Sequence, residues 1–166
     1  MERVLIIGSN GAGKSTFSFR LAEKTGLPLI HIDQIYWQDA WDVTPEAEFD
    51  RRVQAETQDL RWIIEGNNLR SLPRRLARAD TVFWFEFPPP LCVLNIFRRE
   101  WAYRGRVRPD MPDQCVSRWD MKFLRMVWDF NQKNHRKIAA MLQNAENIRV
   151  IHFTNYRQVE RYLRTL

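Results

Sequence analysis

A single three-layer α/β domain, with a parallel sheet between two helical layers, is the fold class that this sequence predicts. Three observations carry it. Apolar runs of strand length alternate with helix-period segments from end to end. The runs are continuous, as strands buried on both faces require. No internal repeat or low-complexity segment interrupts them, and 166 residues support one good core but are short for two.

The first run, Val4-Leu5-Ile6-Ile7, suits a central strand. Residues Gly8-Ser9-Asn10-Gly11-Ala12-Gly13-Lys14-Ser15 follow it and fit the pattern G-x-x-x-x-G-K-[ST] in full. A helix comes next, with Phe17 and Leu21 one turn apart and Gly26 before Pro28 as its stop. In the order strand, glycine loop, helix, backbone N–H groups turn inward to cradle a polyphosphate. The glycines admit the backbone angles, and the helix start adds about half a positive charge. The nucleotide contacts are therefore assigned to Ser9, Asn10, Gly11, Ala12, Gly13, Lys14, Ser15 and Thr16. Lys14 is expected to reach the β- and γ-phosphates, and the Ser15 hydroxyl to sit on Mg²⁺.

Leu29-Ile30-His31-Ile32 reads as the second strand. Thr44-Pro45-Glu46 then offers an N-cap, a proline at the first helical position and an acid in the first turn, for a helix with Phe49, Val53 and Leu60 inward. Trp62-Ile63-Ile64 is the third strand, closed by Glu65-Gly66-Asn67, and a short basic helix near 72–79 leads to the fourth, Thr81-Val82-Phe83-Trp84-Phe85. Pro88-Pro89-Pro90 ends pairing and launches a helix through Leu91, Leu94 and Trp101. Residues 105–117, with Pro109 and Pro112, break the pattern. A longer helix presents Phe123, Val127, Phe130 and Ile138 on one side, before a fifth strand, Arg149-Val150-Ile151-His152, and a closing helix through Val159 and Leu163.

No apolar run approaches the ~20 residues of a membrane span. The first strand begins almost at Met1, leaving no room for a signal peptide, and Cys92 and Cys115 lack metal or redox spacing; unpaired thiols and a cytoplasmic location are expected. The net charge is +6, and 21 of the 26 basic residues are arginine. Arginine suits both a phosphate clamp and a nucleic-acid surface, so charge alone does not separate these.

Parallel sheets of this kind bind ligands beyond the carboxyl ends of their strands. Asp33, Glu65 and Glu86 lie at such ends, together with the loop and Thr154-Asn155.

With these positions in view, the chain resembles the adenylate kinase-like P-loop kinases over nearly its whole length. Within that group it resembles the DNA topology modulation (FlaR-like) proteins. The residues that carry this are the loop, His31-Ile32-Asp33 with Trp37, Trp62-Ile63-Ile64-Glu65-Gly66-Asn67, and Tyr103-Arg104-Gly105-Arg106 with Arg108-Pro109-Asp110-Met111. The resemblance implies a P-loop NTPase three-layer sandwich and a five-stranded sheet in the order 2-3-1-4-5. It also implies a short lid at about residues 104–118 of a single domain spanning 1–166, and use of ATP and Mg²⁺. Two positions depart from it. Glu65 stands where aspartate is expected, and Asn95 stands where the first of two arginines one turn apart is expected, with Arg99 matching the second.

Two readings fit each remaining candidate. Asp33 is either the group that orients or deprotonates an acceptor hydroxyl, or a helix N-cap. Glu65 supports Mg²⁺ through its water shell or forms a turn salt bridge, with Glu86 a further candidate. Arg98, Arg99, Arg104, Arg106 and Arg108 form a basic lid or a solvated surface. Within that group Arg99 and Arg104 are assigned, with Lys14 and Asp33, to catalysis. Arg70, Arg74, Arg75 and Arg78 are expected to face solvent or an acceptor phosphate, and Trp37 and Trp41 to wall an acceptor ring or to pack in the core. His31 reads as a strand histidine with a satisfied hydrogen bond.

The leading expectation is an ATP- and Mg²⁺-dependent kinase acting on a small acceptor, with a nucleoside monophosphate as one option. The alternatives are a nucleotide-gated nucleic-acid-binding protein, for which no reading motif appears, and a nucleotide-binding pseudoenzyme.

Overall fold

The computed structural model describes residues 1–38, 41–116 and 120–166. Ser117 and Arg118, the last two positions of the expected lid, lie outside these. The elements run β1 (Arg3–Gly8), α1 (Lys14–Thr25), β2 (Leu29–His31), α2 (Ile32–Tyr36), α3 (Glu46–Gln58), β3 (Trp62–Glu65), α4 (Leu72–Leu76), β4 (Thr81–Phe85), α5 (Pro89–Ala102), α6 (Met121–Gln143), β5 (Arg149–Phe153) and α7 (Tyr156–Leu163). All five strands are parallel, in the order β2-β3-β1-β4-β5. This is the fold class and strand order expected.

Strand β1 is central and buried on both faces, so its alternate side chains feed two cores. Val4 and Ile6 join Phe17, Leu21, Cys92, Ile96, Val127, Val159 and Leu163 on one face. Leu5 and Ile7 join Ile32, Phe49, Val53, Leu72, Phe130 and Ile138 on the other. Helix α6 contributes its first half to one core and its second half to the other. It crosses between the layers near Asn131, whose side chain bonds the phosphate loop at Ser9. Among the described residues, no helix is long and apolar enough to cross a membrane. Both cysteines are free and buried.

Several local expectations are corrected. Ile32 leaves the second strand and opens α2, a helix that the aperiodic sequence around Trp37 does not announce. Thr44 does not cap α3: Pro45 holds the cap position without a side-chain hydrogen bond, and the Thr44 hydroxyl instead donates to the Ile35 carbonyl at 2.7 Å. Leu60 lies beyond α3 and is 78% exposed. In α5 the buried positions are Cys92, Ile96 and Glu100, whereas Leu94 and Trp101 face outward.

Candidate active site at the carboxyl end of the sheet

The loop is held from three sides. Asn67, just past β3, makes a reciprocal pair with Gly8: its Oδ1 accepts from Gly8 N–H at 2.8 Å and its Nδ2 donates to the Gly8 carbonyl at 2.6 Å. Asn67 Nδ2 also lies 3.0 Å from Asn10 Oδ1. Asn95 in α5 donates to the Gly11 carbonyl at 2.9 Å, so the residue standing in place of an expected arginine braces the loop. Ser9 and Ala12 direct their backbone N–H groups to partners within the protein. The Ser9 N–H donates to Phe85 O at 2.7 Å and its hydroxyl bonds Asn131, while the Ala12 N–H donates to Ser9 O and its methyl is buried in the core.

Gly11 and Gly13 adopt left-handed angles, φ 80° and 85°. A Cβ on Gly11 would stand 2.3 Å from the Cys92 carbonyl oxygen, so α5 can approach the loop only because that atom is missing. Gly13 caps α1 and sets Lys14 as its first residue. The Lys14 ammonium is buried and donates to the Ser9 carbonyl at 3.0 Å, inside the curve of the loop. Burial holds its pKa below the usual lysine range, against the opposing pull of Glu65 and Asp33.

Beside Lys14 stands a cluster of oxygen donors. The Ser15 hydroxyl lies 3.2 Å from Glu65 Oε2 and 3.0 Å from Asp110 Oδ2. His31 Nδ1 is 2.9 Å from the same Glu65 oxygen, and its Nε2 is buried without a partner among the described residues. A hydroxyl between two carboxylates is a hard-oxygen set of the kind that would hold Mg²⁺. No group of three or more His, Cys, Asp or Glu side chains among the described residues is arranged to hold a metal alone. Glu86, the other candidate, lies apart from this cluster and pairs with His135 and His152.

Asp33 sits in α2, one residue inside the helix rather than at its cap. It is exposed and lines the cavity, with the other lining groups around it. Desolvation by those groups, and then the charge of Glu65, raise its pKa from 3.8 to about 6, with Lys14 and Arg108 opposing.

The arginines divide. Arg99 and Arg108 line the cavity, and Arg104 is exposed outside it. Arg99 pairs with Glu100 at 3.0 Å and Arg108 lies 3.6 Å from Asp110. Arg75 overturns its expectation: it is wholly buried and donates to the Gly66 carbonyl at 2.9 Å and the Asn68 carbonyl at 2.7 Å, fixing the turn after β3. Burial lowers its pKa to about 10, and the charges of Glu65 and Asp33 counter that.

Lys14, Ser15, Asp33, Glu65, Arg99, Arg108 and Asp110 open into one cavity of about 1170 Å³. Trp37 and Trp41 line it, their rings edge to face at 5.4 Å. Pro109 and Val116, between α5 and α6, are tied to this side. Gln34 Nε2 donates to Pro109 O at 3.1 Å, and Trp41 Nε1 to Val116 O at 3.1 Å.

Over nearly its full length the chain can be laid on solved structures. It aligns with shikimate kinase from Bacteroides thetaiotaomicron at TM-score 0.56 and 16% identity, covering 99% of this chain and 95% of the other. It aligns with shikimate kinase from Acinetobacter baumannii in complex with shikimate at TM-score 0.57 and 16% identity, covering 99% and 90%. The fold is similar to theirs. No protein-family model matches the chain, and no curated protein matches it.

Sequence reasoning names Arg108 among the lid arginines and places Arg75 toward solvent or an acceptor phosphate, and it misses Asp110 and Asn67 as parts of the site or its frame. Asp110 and Asn67 stood inside quoted motifs, but only the fold shows that they converge on Ser15 and Gly8.

Proposed function

We propose that the chain is a P-loop kinase that moves the γ-phosphoryl group of ATP, with Mg²⁺, to the hydroxyl of a small acceptor. One observation carries the reading: Lys14, the Ser15–Glu65–Asp110 oxygen cluster and Asp33 all face a single cavity large enough for two substrates. The motifs shared with the FlaR-like proteins, and the fold shared with shikimate kinases, support the same assignment.

Lys14 and the loop amides position the phosphates, and the cavity arginines, Arg99 and Arg108, offset charge on the transferring oxygens. Arg104 joins them if the segment 104–118 closes further as a lid. Ser15 with Glu65 or Asp110 would hold Mg²⁺, which would supply further neutralisation of the phosphates. The acceptor oxygen forms its bond to the γ-phosphorus as the bond to the β–γ bridging oxygen breaks, and that electron pair leaves with ADP. The hydroxyl proton passes to Asp33, whose pKa of about 6 leaves it ionised at neutral pH and still basic enough to accept.

The test is an ATP-consumption screen over nucleosides, nucleoside monophosphates and small hydroxylated metabolites. Shikimate is included because one of the similar structures binds it. At least one acceptor should drive ATP use, and Lys14→Ala should lower that rate by about 10³-fold or more while the fold is kept. Acceptor-dependent ATP use that survives Lys14→Ala, or none at all, overturns the reading.

A further inference from the structure

The sheet order separates the cavity into two sides. Strands β4 and β5 lie on one side of β1, so Asn95, Arg99 and Tyr156 stand beside the loop there. Strands β2 and β3 lie on the other, with Asp33, Trp37 and Trp41 after β2 and Gly66 to Leu69 after β3. This second side is walled by rings and apolar groups: Tyr36, Trp37, Trp41, Leu69, Met111 and Phe130.

The rings are held rather than merely gathered. Trp37 meets Tyr36 edge to face at 4.9 Å and Trp41 at 5.4 Å. Trp41 has φ 68°, a costly backbone angle for so bulky a residue, and its indole N–H is tied to the Val116 carbonyl. Strain of this kind persists where the surroundings fix a side chain in one place.

The charges point the same way. Among the described residues, the cations lining the cavity are Lys14, Arg20, Arg99, Arg108 and Lys122, and the anions are Asp33, Glu65, Glu100, Asp110 and Asp120. The two sets cancel. Arg20, Arg99 and Arg108 are already paired with Glu160, Glu100 and Asp110, and MgATP brings further negative charge. An acceptor carrying a carboxylate or phosphate would enter beside Asp33 and Asp110, where three of the five cations are already paired. An uncharged ring would meet stacking surfaces.

From this we infer that the acceptor is a neutral hydroxyl compound carrying a flat ring, of the nucleoside kind, seated against Trp37 and Trp41 with its hydroxyl at Asp33. The inference rests on the kinase reading for the role of Asp33, but its test does not depend on turnover.

The full chain, saturated with Mg²⁺ and a non-hydrolysable ATP analogue, is titrated calorimetrically with neutral nucleosides, their 5′-monophosphates and shikimate. At least one nucleoside should bind at least about tenfold more tightly than its monophosphate and than shikimate, and Trp41→Ala should weaken it about 10- to 100-fold. Affinity for the ATP analogue reports whether the variant is folded, and Trp37→Phe replaces it if that affinity is lost. Equal or tighter binding of a monophosphate or of shikimate overturns the inference, as does a panel in which no nucleoside binds or a folded variant that binds unchanged. A nucleoside that binds by this pattern without being phosphorylated keeps the inference and counts against the kinase reading. An anionic acceptor that is phosphorylated does the reverse.

Discussion

On the loop side of the cavity, one contiguous stretch from Gly8 to Thr16 presents its backbone, and asparagines from two other elements clamp it. On the acceptor side, Asp33, Trp41, Glu65 and Asp110 arrive as side chains from separate segments. A backbone cradle depends on a few glycines and one lysine, so its identity lies in a short string. A wall of side chains depends on how distant segments meet, and its chemistry changes with each substitution. The two sides should therefore fail differently when altered.

The largest effect is expected at Asp33. Asp33→Asn should lower the phosphoryl-transfer rate by about 10²- to 10⁴-fold while leaving ATP-analogue affinity within about threefold, as steady-state kinetics and calorimetry would show. Loss of both together would erase the distinction between the two sides. The same variant makes a stability prediction. The folded pKa is raised from 3.8 to about 6, so the folded state holds the proton more tightly than the unfolded chain. The stability linked to that proton is full below about pH 4 and is lost as pH rises through about 6. Without nucleotide or Mg²⁺, Asp33→Asn should therefore melt higher than the parent at pH 7 to 8, by roughly 1 kcal/mol after solvent screening, and the gap should close towards pH 4.

Next in size is Arg108→Ala, which removes a cavity cation and the arginine beside Asp110; a fall in rate of about 10²-fold is expected. Asn67→Ala takes away both hydrogen bonds to Gly8 and should cost about 1–2 kcal/mol of stability, with a matching loss of ATP affinity, read by thermal melts with and without nucleotide. Arg104→Ala should change the rate least, within about threefold, because the side chain lies outside the cavity. A larger drop would mean that the segment closes further around substrate, and would move Arg104 into the site.

The difference between the sides also explains what could be read in advance. The loop and all five strands are local signals: a motif, and apolar runs such as Val4–Ile7 and Thr81–Phe85 that only a buried strand can use. Asp33 and Glu65 were found because strand ends are predictable once strands are. Asp110 was not, because it sits in an irregular stretch whose path depends on contacts such as Gln34 to Pro109, 75 residues apart in sequence. Trp101 misled because large apolar residues usually pack, whereas Glu100 next to it is buried against Arg99. Helix α2 is a single short stretch held by its neighbours, with no periodicity long enough to detect.

Arg75 illustrates how misleading an activity scan alone would be for this chain. Its guanidinium sits behind the turn that follows β3, never exposed to the cavity, and the fields of Glu65 and Asp33 reach it. It acts as a permanent electrostatic ballast beneath two of the carboxylates that face the substrates, bolted to two carbonyls in a geometry that a lysine's point charge does not reproduce. Mutational maps that score function only through growth or product would mark Arg75 as part of the reaction centre. A footprint of bound ligand would leave it blank.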